Sequence, residues 1–174
     1  TGTSLKGREA PGSGTRRVFT APSKDGAVIG CVVEGEGPPL LVVHGTGDTQ
    51  RGWRRLAPLL APHFTLYLMD RRGRGVSGDR DAYALEREWE DVAAVIDAIA
   101  EESRSTSGKE NTGRVNVFAH SFGGMCALEG ARMISRIGRM VIYEPSVNRN
   151  IGNPKREFAI EEMARLIALG DRDG

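Results

Sequence analysis

Arg114-Val115-Asn116-Val117-Phe118-Ala119-His120-Ser121-Phe122-Gly123-Gly124 is the stretch that decides the fold. Up to Phe118 it alternates valine and phenylalanine with polar residues, the pattern of a short buried strand. From Ser121 it passes through small residues into Met125-Cys126-Ala127-Leu128-Glu129, which favours a helix. A strand, a sharp turn and a helix, with a hydroxyl at the apex, make a nucleophile elbow. In so tight a turn, side chains two places either side of the serine collide with the crossing strand and helix. Those places hold Ala119 and Gly123. The usual pattern is G-x-S-x-G, and Ala119 departs from it by one methyl group.

Outward from this stretch, 174 residues suffice for one domain with a real core. A formal net charge of +1 creates no field that would attract nucleic acid or an anionic membrane, so neither is expected as a partner. Cys31 and Cys126 lie in apolar runs without metal-like spacing and read as buried thiols of a reducing compartment. No apolar run reaches the length of a membrane span, and the chain start lacks an apolar signal core. The expected location is the cytoplasm.

Residues 1–15 are rich in Gly, Ser and Thr and read as a disordered leader, followed by a core over 16–150. Arg17 to Thr20 and Ala27 to Glu34 read as two strands around a turn at Pro22 to Gly26. Leu40 to Val43, apolar throughout, reads as a central parallel strand ending at His44-Gly45-Thr46-Gly47-Asp48. Trp53, Leu56, Leu59 and Leu60 recur at helical spacing. A strand from Phe64 to Met69 then ends at Asp70-Arg71-Arg72-Gly73-Arg74-Gly75-Val76-Ser77-Gly78. Leu85, Trp89, Val92, Ile96 and Ile99 share one face of the clearest helix, and these stripes are expected in the core. A polar loop from Ser103 to Gly113 leads into the elbow, whose helix is expected to run to about Ile134. A sixth strand follows at Met140 to Tyr143. Residues 151–174 read as the start of a lid or cap, with an amphipathic helix over 154–170. Strands alternating with helices after an initial hairpin predict a mostly parallel sheet with an N-terminal antiparallel hairpin and helices on both faces. Function in such sheets gathers at the carboxyl ends of the strands, where His44-Gly45, the Asp70 loop and Ser121 all fall.

The succession H-G-T-G, D-R-R-G-R-G-V-S-G, A-H-S-F-G-G and, after the next strand, Y-E-P resembles the α/β-hydrolase fold superfamily. More narrowly, it is similar to small bacterial esterase, lactonase and cofactor-free haloperoxidase-like members, over residues 16 to 170. The resemblance implies a serine hydrolase, with no cofactor and no metal, acting on a small uncharged ester, lactone or amide. It implies Ser121 as the nucleophile and an oxyanion hole from the backbone N–H groups of Thr46 and Phe122. The Phe122 N–H would lie at a helix N-terminus, where donors are unpaired and the dipole favours negative charge. In the family order 1-2-4-3-5-6, residues 140–143 become a bare edge, apolar on both faces and without a bulge, where a second chain or a missing C-terminal half would pair.

The family triad runs serine, acid, histidine, on strands that this sequence does not reach. Its three histidines, His44, His63 and His120, all precede Ser121. The resemblance makes His44 structural, chain order places His63 at the amino end of the sheet, and the elbow turns His120 away from the serine. The acid and base are therefore expected to be absent from the chain. Glu144 is a candidate displaced acid, against the plainer reading of a polar residue at the pocket mouth. Gly73-x-Gly75-x-x-Gly78 matches a dinucleotide fingerprint, but no helix follows directly, so it reads as a structural loop with Asp70 pinning its backbone. Arg71, Arg72 and Arg74 read as solvated loop charges that could also meet an anionic substrate. Ser121 disfavours epoxide hydrolase and haloalkane dehalogenase chemistry, which places an aspartate there. The second reading is a catalytically silent module of the same fold, acting as a binding or assembly subunit.

Overall fold

A strand without one polar side chain has to be covered on both faces, and the computed structural model buries all five residues of Pro39–Val43. It describes residues 16–80, 82–106 and 113–146. Six strands form one sheet: β1 (Arg17–Pro22), β2 (Val28–Glu34), β3 (Pro39–Val43), β4 (Thr65–Met69), β5 (Val115–His120) and β6 (Ile137–Tyr143). Their order is β1-β2-β4-β3-β5-β6. The first two pairings, β1–β2 and β2–β4, are antiparallel, and β3–β4, β3–β5 and β5–β6 are parallel. The expected order and mixed sheet are therefore present.

Period-two alternation divides the side chains between two cores. Leu41, Val43, Tyr67, Met69 and Val117 face α2 (Leu85–Thr106) and α3 (Ser121–Ala131), whose Val92, Ile96, Ile99, Cys126 and Ala127 complete that cluster. Leu40, Val42, Leu66 and Leu68 face the opposite side, packed by Trp53, Ala57 and Leu60.

Several expectations need correction. The helix read through Trp53 to Leu60 is broken into a 3₁₀ helix, Gln50–Arg55, and one α-turn, α1 (Ala57–Leu60). Pro58 is the cause, since its missing N–H suits only the first turn of a helix. Leu59, assigned to the stripe, is 69% exposed. The core stripe of α2 begins later than expected: Leu85 is exposed, while Glu88 is buried. α2 also runs through the first residues of the expected polar loop. The elbow helix ends at Ala131, and β6 starts three residues earlier than read. A register shift interrupts the β5–β6 pairing, with Asn116 Oδ1 accepting the Arg139 N–H at 2.9 Å. The irregularity and the charged Arg139 lie just before Met140, outside the 140–143 stretch that was expected to be without a bulge. It is an edge among the described strands, and Val141 and Tyr143 are exposed. The leader over 1–15 and the helix over 154–170 lie outside the described residues. No described helix is long and apolar enough to cross a membrane.

Asp70 closes β4 and ties its loop to the next strand end. Its two carboxylate oxygens accept the N–H groups of Gln50 at 2.7 Å and Val76 at 2.9 Å. Gly75 passes at φ 49° so close that any side chain would strike this carboxylate. The glycines of the fingerprint therefore serve the loop, as expected of a structural reading. Asp70→Asn keeps the shape but sets an amide NH₂ against a buried N–H. It should cost about 2–4 kcal/mol in chemical denaturation; a loss below about 0.5 kcal/mol would refute the pinning role.

Candidate active site

Ser121 stands at the junction of β5 and α3 with φ 53°, a left-handed backbone that a residue with a side chain adopts only when its surroundings enforce it. The enforcing contacts are steric. A methyl group on Gly123 would collide with the His44 carbonyl, and one on Gly45 would lie 3.0 Å from Ser121 Cβ and 3.5 Å from its Oγ. Ala119, two residues before the serine, is fully buried. The chain after β3 therefore runs directly against the serine, with glycine at both points of contact.

α3 begins without a side-chain cap and without an acidic residue in its first turn. Its first N–H groups, Phe122 among them, have no intrahelical acceptor. Gly45, whose carbonyl carbon begins the Gly45–Thr46 peptide, runs alongside Ser121. Gly45 O accepts from His44 Nδ1–H at 2.8 Å and from Arg71 Nη1–H at 2.9 Å. Because C=O and N–H of a trans peptide point in opposite directions, fixing Gly45 O also fixes the direction of the Thr46 N–H.

His44 is fully buried, with both ring nitrogens engaged: Nε2 accepts the Arg71 backbone N–H at 3.1 Å, so Nδ1 carries the proton. Burial, first, and the nearby Arg71 and Arg74 charges hold its pKa below the ordinary histidine value, against the opposing pull of Gly45 O and Asp70. It is a neutral strut. His120 stacks on Tyr143, ring centroids 5.5 Å apart, and meets Trp53 edge-on. His63 lies in the turn before β4, beside Gly37, at the amino end of the sheet. No hydrogen bond of the described residues links any of the three to Ser121.

The Ser121 hydroxyl instead meets the Ser146 hydroxyl at 3.2 Å, and the Ser146 N–H donates to Ser121 O at 3.1 Å. The reading of the sequence missed Ser146, since a lone serine after Y-E-P carries no spacing signal. Glu144 is exposed at φ 45°, in the bend that brings Ser146 to the elbow, and no bond of the described residues joins it to Ser121.

The arginine expectation fails in two of three positions. Arg71 and Arg72 are 3% and 2% exposed, not solvated. Arg71 forks onto Glu88 at 2.8 and 2.9 Å, and Arg72 onto Asp91 at 2.7 Å twice, with Asp25 as a further partner at 2.9 Å. Burial works against the Arg71 charge, but the Glu88 fork and charge outweigh it and raise its pKa. The Asp91 fork, against burial, likewise raises that of Arg72. Breaking one partner of such a pair leaves an uncompensated buried ion. Glu88 and Asp91 are one helical turn apart, and that spacing against consecutive arginines was the signal available in the sequence.

Burial pushes the Cys31 and Cys126 thiols up, Cys126 to about 12, so neither is a nucleophile at neutral pH. Among the described residues, no three His, Cys, Asp or Glu side chains come together as a metal site.

A family model described as "Alpha/beta hydrolase family" matches residues 40–173. A fluoroacetate dehalogenase from Burkholderia is 49% identical over 49 residues, 28% of this chain and 16% of that protein. A cis-3-alkyl-4-alkyloxetan-2-one decarboxylase from Shewanella oneidensis is 29% identical over 125 residues, 69% of this chain and 36% of that protein. Among solved structures, an alpha/beta hydrolase from Sphaerobacter thermophilus is similar with TM-score 0.68 and 37% identity, covering 87% of this chain and 55% of that one. The chain spans little more than half the length of that structure and less of the curated relatives.

The lowered His44 pKa has a consequence for stability. The unfolded histidine binds a proton below about pH 6.5, while the folded one resists it. The His44 contribution is then complete above that value and is lost as pH falls. The unfolding free-energy difference between wild type and His44→Asn should therefore shrink from pH 7 to pH 5, by at most about 1.4 kcal/mol per unit. A difference flat across that range would overturn the neutral strut.

Proposed function

Because the chain belongs to the alpha/beta hydrolase family, we propose that it supplies the nucleophile and oxyanion hole of a serine hydrolase. The observation that carries this reading is Ser121 held at φ 53° over the uncapped N-terminus of α3. In the proposed reaction Ser121 Oγ attacks the carbonyl carbon of a small uncharged ester, lactone or amide. The N–H groups of Phe122 and Thr46 receive the negative charge that develops on the carbonyl oxygen. Collapse expels the alcohol or amine, which takes up a proton, and water then releases the acid from the serine. The names of two relatives support this substrate class, an esterase from Rhodococcus and a pyrrolizixenacetamide deacetylase from Xenorhabdus hominickii. Two inert buried thiols fit a reducing compartment, the cytoplasm.

The serine proton needs an acceptor, and no hydrogen bond among the described residues joins any of the three histidines to Ser121. We propose that the base, and with it the acid, is supplied by a further polypeptide that pairs at β6, an edge among the described strands. That no described residue is bonded to Ser121 as a base also supports the second reading, a catalytically silent module, should no such polypeptide exist.

The purified chain should hydrolyse p-nitrophenyl acetate far more slowly than an enzyme with a complete triad, because an oxyanion hole without a base retains at most about 10³–10⁴-fold over water. Robust turnover abolished by Ser121→Ala would mean that the chain itself supplies the base. Adding the polypeptide that pairs with β6 should restore turnover; the silent module gives none with any partner.

Exposed Val141 and Tyr143 on β6, an edge among the described strands, also predict self-association in sedimentation experiments. A stable monomer whose 140–143 amides exchange slowly would refute the need for a partner there.

A further inference from the structure

Nothing in the hydrolase reading requires a buried arginine beside the hole, yet one touches both of its arms. We infer that Arg71 is the positioning residue of the oxyanion hole, an inference that rests on the serine hydrolase reading above. Its Nη1–H holds Gly45 O at 2.9 Å, which aims the Thr46 N–H through the shared peptide plane. Its own backbone N–H holds His44 Nε2 at 3.1 Å, which fixes the tautomer that donates to the same Gly45 O. Its guanidinium lies 4.4 Å from the Phe122 ring centroid, so the residue carrying the other N–H is held from its side chain. Glu88 takes the remaining fork at 2.8 and 2.9 Å and thereby anchors the assembly to α2.

Only a planar guanidinium can do this. Three separate N–H directions are in use, two to Glu88 and one to Gly45, while the guanidinium carbon sits over the ring. A lysine ammonium offers a point charge without that fork or face. The neighbouring Arg72 provides an internal comparison. It is buried to the same degree and is likewise forked onto α2, through Asp91, but bonds neither Gly45 nor Phe122. If Arg71 served stability alone, the two arginines would behave alike.

Because no described residue serves Ser121 as a base, the test reads the hole directly. Phenylboronic acid accepts the Ser121 Oγ lone pair at boron while the hydroxyl proton leaves to buffer. The product is a tetrahedral anion with an oxygen in the hole. Its formation is followed by boron NMR, with Ser121→Ala as the baseline, and by the amide proton shifts of Thr46 and Phe122. Wild type should give the adduct and move both amides. Arg71→Met and Arg71→Lys should weaken it by at least about tenfold and abolish the Thr46 shift. Arg72→Met should lower the melting temperature and leave the affinity within about twofold.

Equal binding by Arg71→Met and wild type would overturn the inference while leaving the nucleophile in place. So would an equal loss in Arg72→Met. If wild type forms no adduct, the hydrolase reading itself fails and the inference with it. Should Arg71→Met not fold, Arg71→Met/Glu88→Leu removes both ions together, leaves no buried charge unpaired, and reads the same affinity.

Discussion

Between the carbonyl of His44 and the backbone of Gly123 there is no room for a methyl group. That contact sets how closely β3 and the elbow approach, and most of the site follows from it. It holds Ser121 in a left-handed backbone, lifts its hydroxyl over the start of α3, and brings the Gly45–Thr46 peptide alongside. Core packing supplies the force that maintains it. β3 and β5 are hydrogen-bonded neighbours, and Leu41, Val43 and Val117 share one buried cluster with α2 and α3. The strain in one serine is thus offset by many ordinary apolar contacts in the core.

A second layer, made of charge, is laid over this steric one. Two consecutive arginines at the end of β4 reach two acids one turn apart on α2, and each pair satisfies the other within a buried site. Pairs of this kind contribute little net stability, since desolvation consumes most of the attraction. Their contribution is directional: they permit one rotational setting of α2 against the sheet and one path for the Asp70 loop. Apolar side chains would tolerate several.

The sequence disclosed the parts that depend on local pattern. The all-apolar run at Leu40 to Val43 announced a central strand, and the small residues around Ser121 announced a crossing too tight for larger ones. Asp70 was legible as a pin because glycines cluster beside it. What escaped depends on partners distant in the chain. Arg71 and Arg72 look like solvent-facing charges until Glu88 and Asp91 are set opposite them. Leu85 looks like core and Glu88 like surface for the same reason, since helical periodicity cannot tell an apolar face from one holding a buried ion pair. Ser146 could not be seen at all, because only the bend after β6 brings it to the elbow.

The order of strands in the sheet also imposes an order in time. β1 and β2 are joined by a tight turn, and β2, β3 and β4 are close neighbours in sequence. The β3–β5 pairing closes a loop that contains the 3₁₀ helix, α1, β4 and all of α2. Closing that loop carries the larger entropic cost, so it follows the local pairings. Gly45 and Ser121 come from the two sides of this late pairing. As the chain leaves the ribosome, four strands are synthesised and able to pair before the serine has been added. Ser121 is thus delivered to a neighbourhood already able to form, so its left-handed backbone is adopted only where neighbouring strands can support it.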